Sequence, residues 1–86
     1  MADQLLYAIR DRFVMSEIEM HAVVALIQDL PEERLVRGQV GAVVADLAPD
    51  VYEVEFCARG GVTYAMVALR ADQLMVLHFE PVHKAV

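Results

Sequence analysis

The spacing of hydrophobic residues along the chain changes near residue 17. Over residues 3–14, Leu5, Leu6, Ile9 and Phe13 recur at helical spacing and form one apolar stripe, which predicts an amphipathic helix. Asp3 is placed to cap its start, and Arg10 and Arg12 sit near its end, where the helix dipole favours cations. A helix of this length is marginal alone in water, so its stripe has to dock on another surface. Beyond Ile18 the spacing becomes that of strands. The clearest case is residues 51–57, where Tyr52, Val54 and Phe56 alternate with Glu53 and Glu55. Further strands are predicted at residues 20–28, 40–47, 62–69 and 74–79.

The connections carry turn chemistry. Residues 29–38 form a long loop in which Pro31 and the acids Glu32 and Glu33 wind a helical turn, and Gly38 closes it. Gly41 lies within the second strand, which predicts a bulge or a backbone approach too close for a side chain. Ala48, Pro49 and Asp50 make a turn, and Gly60 and Gly61 after Arg59 supply a hairpin loop. Residues 70–73 have room for a single tight turn, and Pro81 ends the last strand. The architecture these elements predict is mostly β. It is an SH3-like five-stranded barrel over residues 18–80, with a helical extension over residues 1–17 and a tail over residues 81–86. Val54 and Phe56 are its expected core, with Val43 or Val44 and Val67 beside them.

Two of the strands are apolar on both faces. In residues 62–69, Val62, Tyr64, Met66 and Ala68 alternate with Thr63, Ala65, Val67 and Leu69, and residues 22–27 show the same pattern. A strand in a small barrel keeps one face wet, so the second face calls for a cover. Three covers fit: the helix folded back over its own barrel, a second copy in a homodimer, or an unidentified protein partner. The candidate interaction surface is therefore Leu5, Ile9, Phe13 and Tyr64 together with the acids Glu32, Glu33, Glu53 and Glu55. The acids serve either to steer a basic partner or simply to keep an apolar chain in solution.

Composition narrows the function classes. An apolar fraction of 58% in 86 residues describes one folded domain and argues against disorder. The longest apolar run, residues 22–27, is far too short for a membrane span. The first residues fit no secretory signal, so a cytoplasmic location is expected. Thirteen acids against seven Lys and Arg give a net charge of −6, and the basic residues are scattered, which disfavours nucleic acid as a partner. Cys57 is the single cysteine, so no disulfide forms within the chain, and it is expected to pack as a small hydrophobe. His21, His78, His83 and Cys57 lack the spacing of metal ligands, so no metal is expected. Ser16 and Thr63 sit in no nucleophile motif, and Gly38, Gly41, Gly60 and Gly61 form no phosphate loop. No catalytic residues, no cofactor and no enzymatic activity are expected.

Five blocks in order carry a resemblance. They are Asp29-Leu-Pro-Glu-Glu33, Gly38-Gln-Val-Gly-Ala-Val-Val44, Tyr52-Glu-Val-Glu-Phe56, Thr63-Tyr-Ala65 and Leu69-Arg-Ala-Asp-Gln-Leu74. In these the chain resembles, over about residues 18–79, a family of small prokaryotic proteins catalogued only as a domain of unknown function. The resemblance implies an SH3-like barrel and a bacterial or archaeal source, and it carries over no catalytic residue. Members that look as though they are encoded beside toxin-like or accessory genes imply an antitoxin, immunity or adaptor role. The expected function is thus a non-catalytic protein-protein interaction module. The alternative is a small-ligand or nucleic-acid binding barrel that stacks its ligand on Tyr52, Tyr64 and Phe79.

Overall fold

A computed structural model describes residues 18–81. The predicted helix over residues 3–14, with Leu5, Ile9 and Phe13, lies outside the described residues, as do residues 82–86 of the tail. Five strands form one antiparallel sheet: β1 (Val23–Leu26), β2 (Val40–Ala48), β3 (Val51–Cys57), β4 (Thr63–Arg70) and β5 (Leu74–Val76). Their order across the sheet is β4-β3-β2-β1-β5. Two single-turn 3₁₀ helices interrupt it, at Pro31–Glu33 and Ala71–Gln73, where the helical turn and the tight turn were predicted.

The cross-strand register follows the alternation of side chains. Val24 pairs with Gly41 and Val76, Leu26 with Leu74, Val43 with Val54, Tyr52 with Leu69, and Val54 with Val67. Partners in an antiparallel ladder point to the same side, so these residues build one continuous inner face. Val24, Leu26, Val43, Tyr52, Val54, Phe56, Leu69 and Leu74 form its core, and Leu35 joins them from the long loop. The core expected from the sequence is present, with Val43 as the neighbour of Val54.

The sheet does not close into a barrel. β4 and β5 occupy its opposite edges. The 3₁₀ turn at Ala71–Gln73 sends the chain across to β1, and the three residues of β5 pair with β1 alone. β1 is shorter than predicted because His21 adopts φ 71° just before it. At its other end Leu26 and Gly38 bond across the neck of the loop, with Gly38 N donating to Leu26 O at 2.8 Å. Beyond β5, one more bond joins Leu77 N to Val23 O, after which the chain leaves the sheet and Phe79 stands exposed.

Register shifts bend β2 between Val43 and Ala45 and again between Asp46 and Ala48. Gly41 is no bulge. It keeps regular register with both neighbours, and its significance is the close approach: an added Cβ would meet Glu55 O at 2.7 Å and Val54 Cγ1 at 2.8 Å. The hairpin turn at Gly60 and Gly61 needs glycine for another reason, since both adopt φ +91°. Cys57 is exposed and does not pack in the core. The strand alternation that buries Phe56 turns the following residue outward, beside Thr63.

Candidate interaction surface

The outer face is set by the same register. Across four strands, Met66, Glu55, Ala42 and Val23 stand in one row. A second row runs from Val40 through Ala25 to Met75, because Ala25 pairs with β2 on one side and β5 on the other. Val40, Met66 and Met75 are each about half exposed. Ile27, just past β1, adds another exposed apolar side chain. The β3 part of this face carries the charges Glu53 and Glu55, both half-buried. Glu55 is held in place, since Thr63 Oγ1 donates to its Oε2.

The residues singled out in the sequence do not converge on one spot. Glu53 and Glu55 belong to the outer face, whereas Glu32 and Glu33 are exposed on the 3₁₀ turn of the β1–β2 loop. The acid-rich middle of the chain is thus divided between a loop and a sheet face. Pro31 opens that turn, and Arg34 closes it with φ 60°. Tyr64 leaves the row of Met66 and Ala68. A register shift between Phe56 and Cys57 carries it toward the inner side, where its ring lies 6.4 Å from that of the buried Phe56. Gln39 Nε2 donates to its hydroxyl at 3.0 Å.

The three aromatics make no shared stacking platform. Tyr52 is only 3% exposed, and its hydroxyl accepts the Ile18 amide at 2.9 Å. Phe79 stands alone beyond β5, and Tyr64 is engaged as described. Among the described residues, two open clefts stand out. One, of about 280 Å³, lies between the β2–β3 turn and the second 3₁₀ turn and is lined by Asp50, Val51, Arg70 and Asp72. Two of its charged walls, Arg70 and Asp72, pair with each other at 3.0 Å and are largely exposed. The other, of about 450 Å³, is lined by Ile18, Glu19, Ala22, Val76 and His78, with no hydroxyl or thiol among them. Among the described residues no three His, Cys, Asp or Glu side chains are grouped as a metal ion requires.

Sequence reasoning missed Leu35 and Gln73. Leu35 is 1% exposed because the loop folds back on itself through a Leu30–Leu35 bridge, placing it under the sheet. The side chain of Gln73 accepts the Arg70 amide at 2.8 Å and its carbonyl accepts Ile27 N at 3.1 Å, so a buried glutamine ties β4 to β1. Val40 and Met75 were also missed as members of one patch. Alternation alone gives each its face, but only the strand order shows that both border Ala25. No α-helix among the described residues is long and apolar enough to cross a membrane.

No curated protein and no solved structure matches the chain. A family model does match, over residues 20–76, which takes in all five strands, both 3₁₀ turns and the outer face just described. The chain therefore belongs to the family described as a domain of unknown function, DUF4926.

Proposed function

We propose that this protein is a non-catalytic protein-protein interaction module, an accessory, adaptor or antitoxin/immunity-type protein of a prokaryotic cell. In this reading its sheet follows an SH3-like course, with β2 bent so that it serves both halves of a half-open barrel. The strand order and the two register shifts in β2 support that course.

The observation that carries the function is the row Val40–Ala25–Met75 on the outer face, extended by the exposed Ile27 just past β1. Apolar side chains on the wet side of a strand contribute nothing to the core they turn away from. A contiguous group of them marks a binding surface. Glu55 in the neighbouring row, and Glu53 farther along β3 on the same face, would orient a partner that presents basic residues. The test is a paired substitution, Val40→Asp with Met75→Asp, in protein recovered from its own cells. The doubly substituted protein should keep the parent melting temperature and lose the proteins that accompany the parent. Unchanged company at an unchanged melting temperature would refute the reading.

A further inference from the structure

The two edges of the sheet are treated very differently by the sequence. Exposed strand edges template pairing with other chains, and proteins blunt them with short strands, prolines, charges or bulges. β5 is blunted, having three residues and losing its ladder after Leu77. β4 is not. It runs for eight residues without a proline, and from Thr63 to Leu69 it carries no ionisable side chain except Tyr64. Its one irregularity, the register shift beside Phe56 and Cys57, lies at its beginning and leaves Ala65–Leu69 in regular register with β3. Among the described residues no strand pairs with its outer edge.

Burial adds a second, independent observation. Ala65 and Val67 point to the inner face and pack against the core, yet both are only partly buried, while Val54 beside Val67 is fully buried. On the other side Met66 is 51% exposed. The sheet thus ends at β4 with apolar side chains incompletely covered on both faces, as it would if another strand continued it.

We infer that β4 pairs antiparallel with β4 of a second copy, making a continuous ten-stranded sheet. The inference deepens the interaction-module reading and rests on it. The edge suits self-pairing on charge. The chain carries a net charge of −6, so two copies repel at most surfaces, and this neutral strip lets them meet. It also suits self-pairing on shape. A dyad at Met66 sets that residue beside its own copy and Ala65 beside Val67, a small side chain against a larger one, on the inner face. Such an interface is isologous and closes at two chains. It also joins the two outer faces into one surface, with an apolar row toward each end and the paired β3 and β4 strands between them.

The test uses the full chain. Size exclusion with light scattering should give twice the 9.6 kDa mass of one chain, falling toward one on dilution. Met66→Lys places two ammonium groups against each other at the dyad and should give the single-chain mass with the fold intact by circular dichroism. Met66→Glu should do the same, and an equal mixture of the two variants should return to the double mass. A parent with the single-chain mass at high micromolar concentration overturns the inference. So does a dimer that survives both substitutions, because its interface then lies elsewhere. Should the variants fail to fold, hydrogen exchange on the parent decides. The amides of Ala65–Leu69 that face away from β3 should be protected more strongly as concentration rises. Free exchange at every concentration overturns the proposal, as does protection that is independent of concentration and vanishes in a chain beginning at Met15, which assigns the edge to residues 1–14. A monomer whose companions are still lost with Val40→Asp and Met75→Asp leaves the interaction-module reading standing and removes only the dimer.

Discussion

Replacing Gly41 with alanine adds a single methyl group where the sheet has no space for one. The new Cβ would stand 2.7 Å from Glu55 O, 2.8 Å from Val54 Cγ1 and 3.0 Å from Phe56 Cδ2. Carbon atoms pack best at about 3.5–4.0 Å, so every one of these contacts is repulsive. Rotation of a side chain cannot relieve them, because the nearest atom is a backbone carbonyl of β3 and the other two belong to fully buried residues. The strand must shift. Overpacking of this kind costs about 1–3 kcal/mol. Removing a glycine from a strand interior returns roughly 0.5–1 kcal/mol through the unfolded chain. The clash wins, leaving Gly41→Ala destabilised by about 1–2 kcal/mol and Gly41→Val by more. With a urea slope of ~1 kcal/mol/M for a small domain, the alanine variant should unfold at a midpoint lower by about 1–2 M. Adding Val54→Ala should not rescue it, since the carbonyl of Glu55 stays in place. A midpoint at or above the parent value for Gly41→Ala would refute the reasoning.

Three further outcomes are expected. Phe56→Ala empties the centre of the core beside Gly41 and Ala65, and should cost about 3–5 kcal/mol in chemical denaturation. A loss below about 1 kcal/mol would mean the ring is not packed as described. Tyr52→Phe removes the acceptor of the Ile18 amide and should cost about 1–2 kcal/mol, with faster exchange of that amide by NMR. Arg34→Gly relieves a left-handed residue at the end of the first 3₁₀ turn, so the melting temperature should rise, corresponding to about 0.5–1 kcal/mol.

What was legible in the sequence follows from how many faces of an element are wet. β3 has one wet face, so the alternation of Tyr52, Val54 and Phe56 with Glu53 and Glu55 gave its boundaries and its inner side correctly. The two 3₁₀ turns were legible because proline and short connections leave few alternatives there. β1 was overextended because apolar residues run past both of its ends, and its true limits come from the backbone. His21 turns left-handed at one end, and the loop neck bonds to Leu26 at the other. The same continuity hid the end of β5. Closure of the barrel was not legible at all, since it depends on how far the whole sheet curls, and β4 and β5 stand unpaired with each other at its opposite edges. Of the candidate surface, Glu53 and Glu55 fall together on the outer face, as alternation alone implies. The apolar row around Ala25 required the strand order, which no single strand carries. Tyr64 was misplaced because one register shift moves a side chain to the other face.

The most direct test of the interaction-module account places a photo-crosslinking amino acid at Met75 on the outer face, and in a second protein at Arg59 on the exposed β3–β4 hairpin. Both are irradiated in the cells from which the chain comes, and adducts are read by mass spectrometry, with self-adducts counted apart. The account predicts a discrete adduct to another protein from position 75 and none from position 59. No adduct from position 75, or equal labelling of the same proteins from both positions, would contradict it.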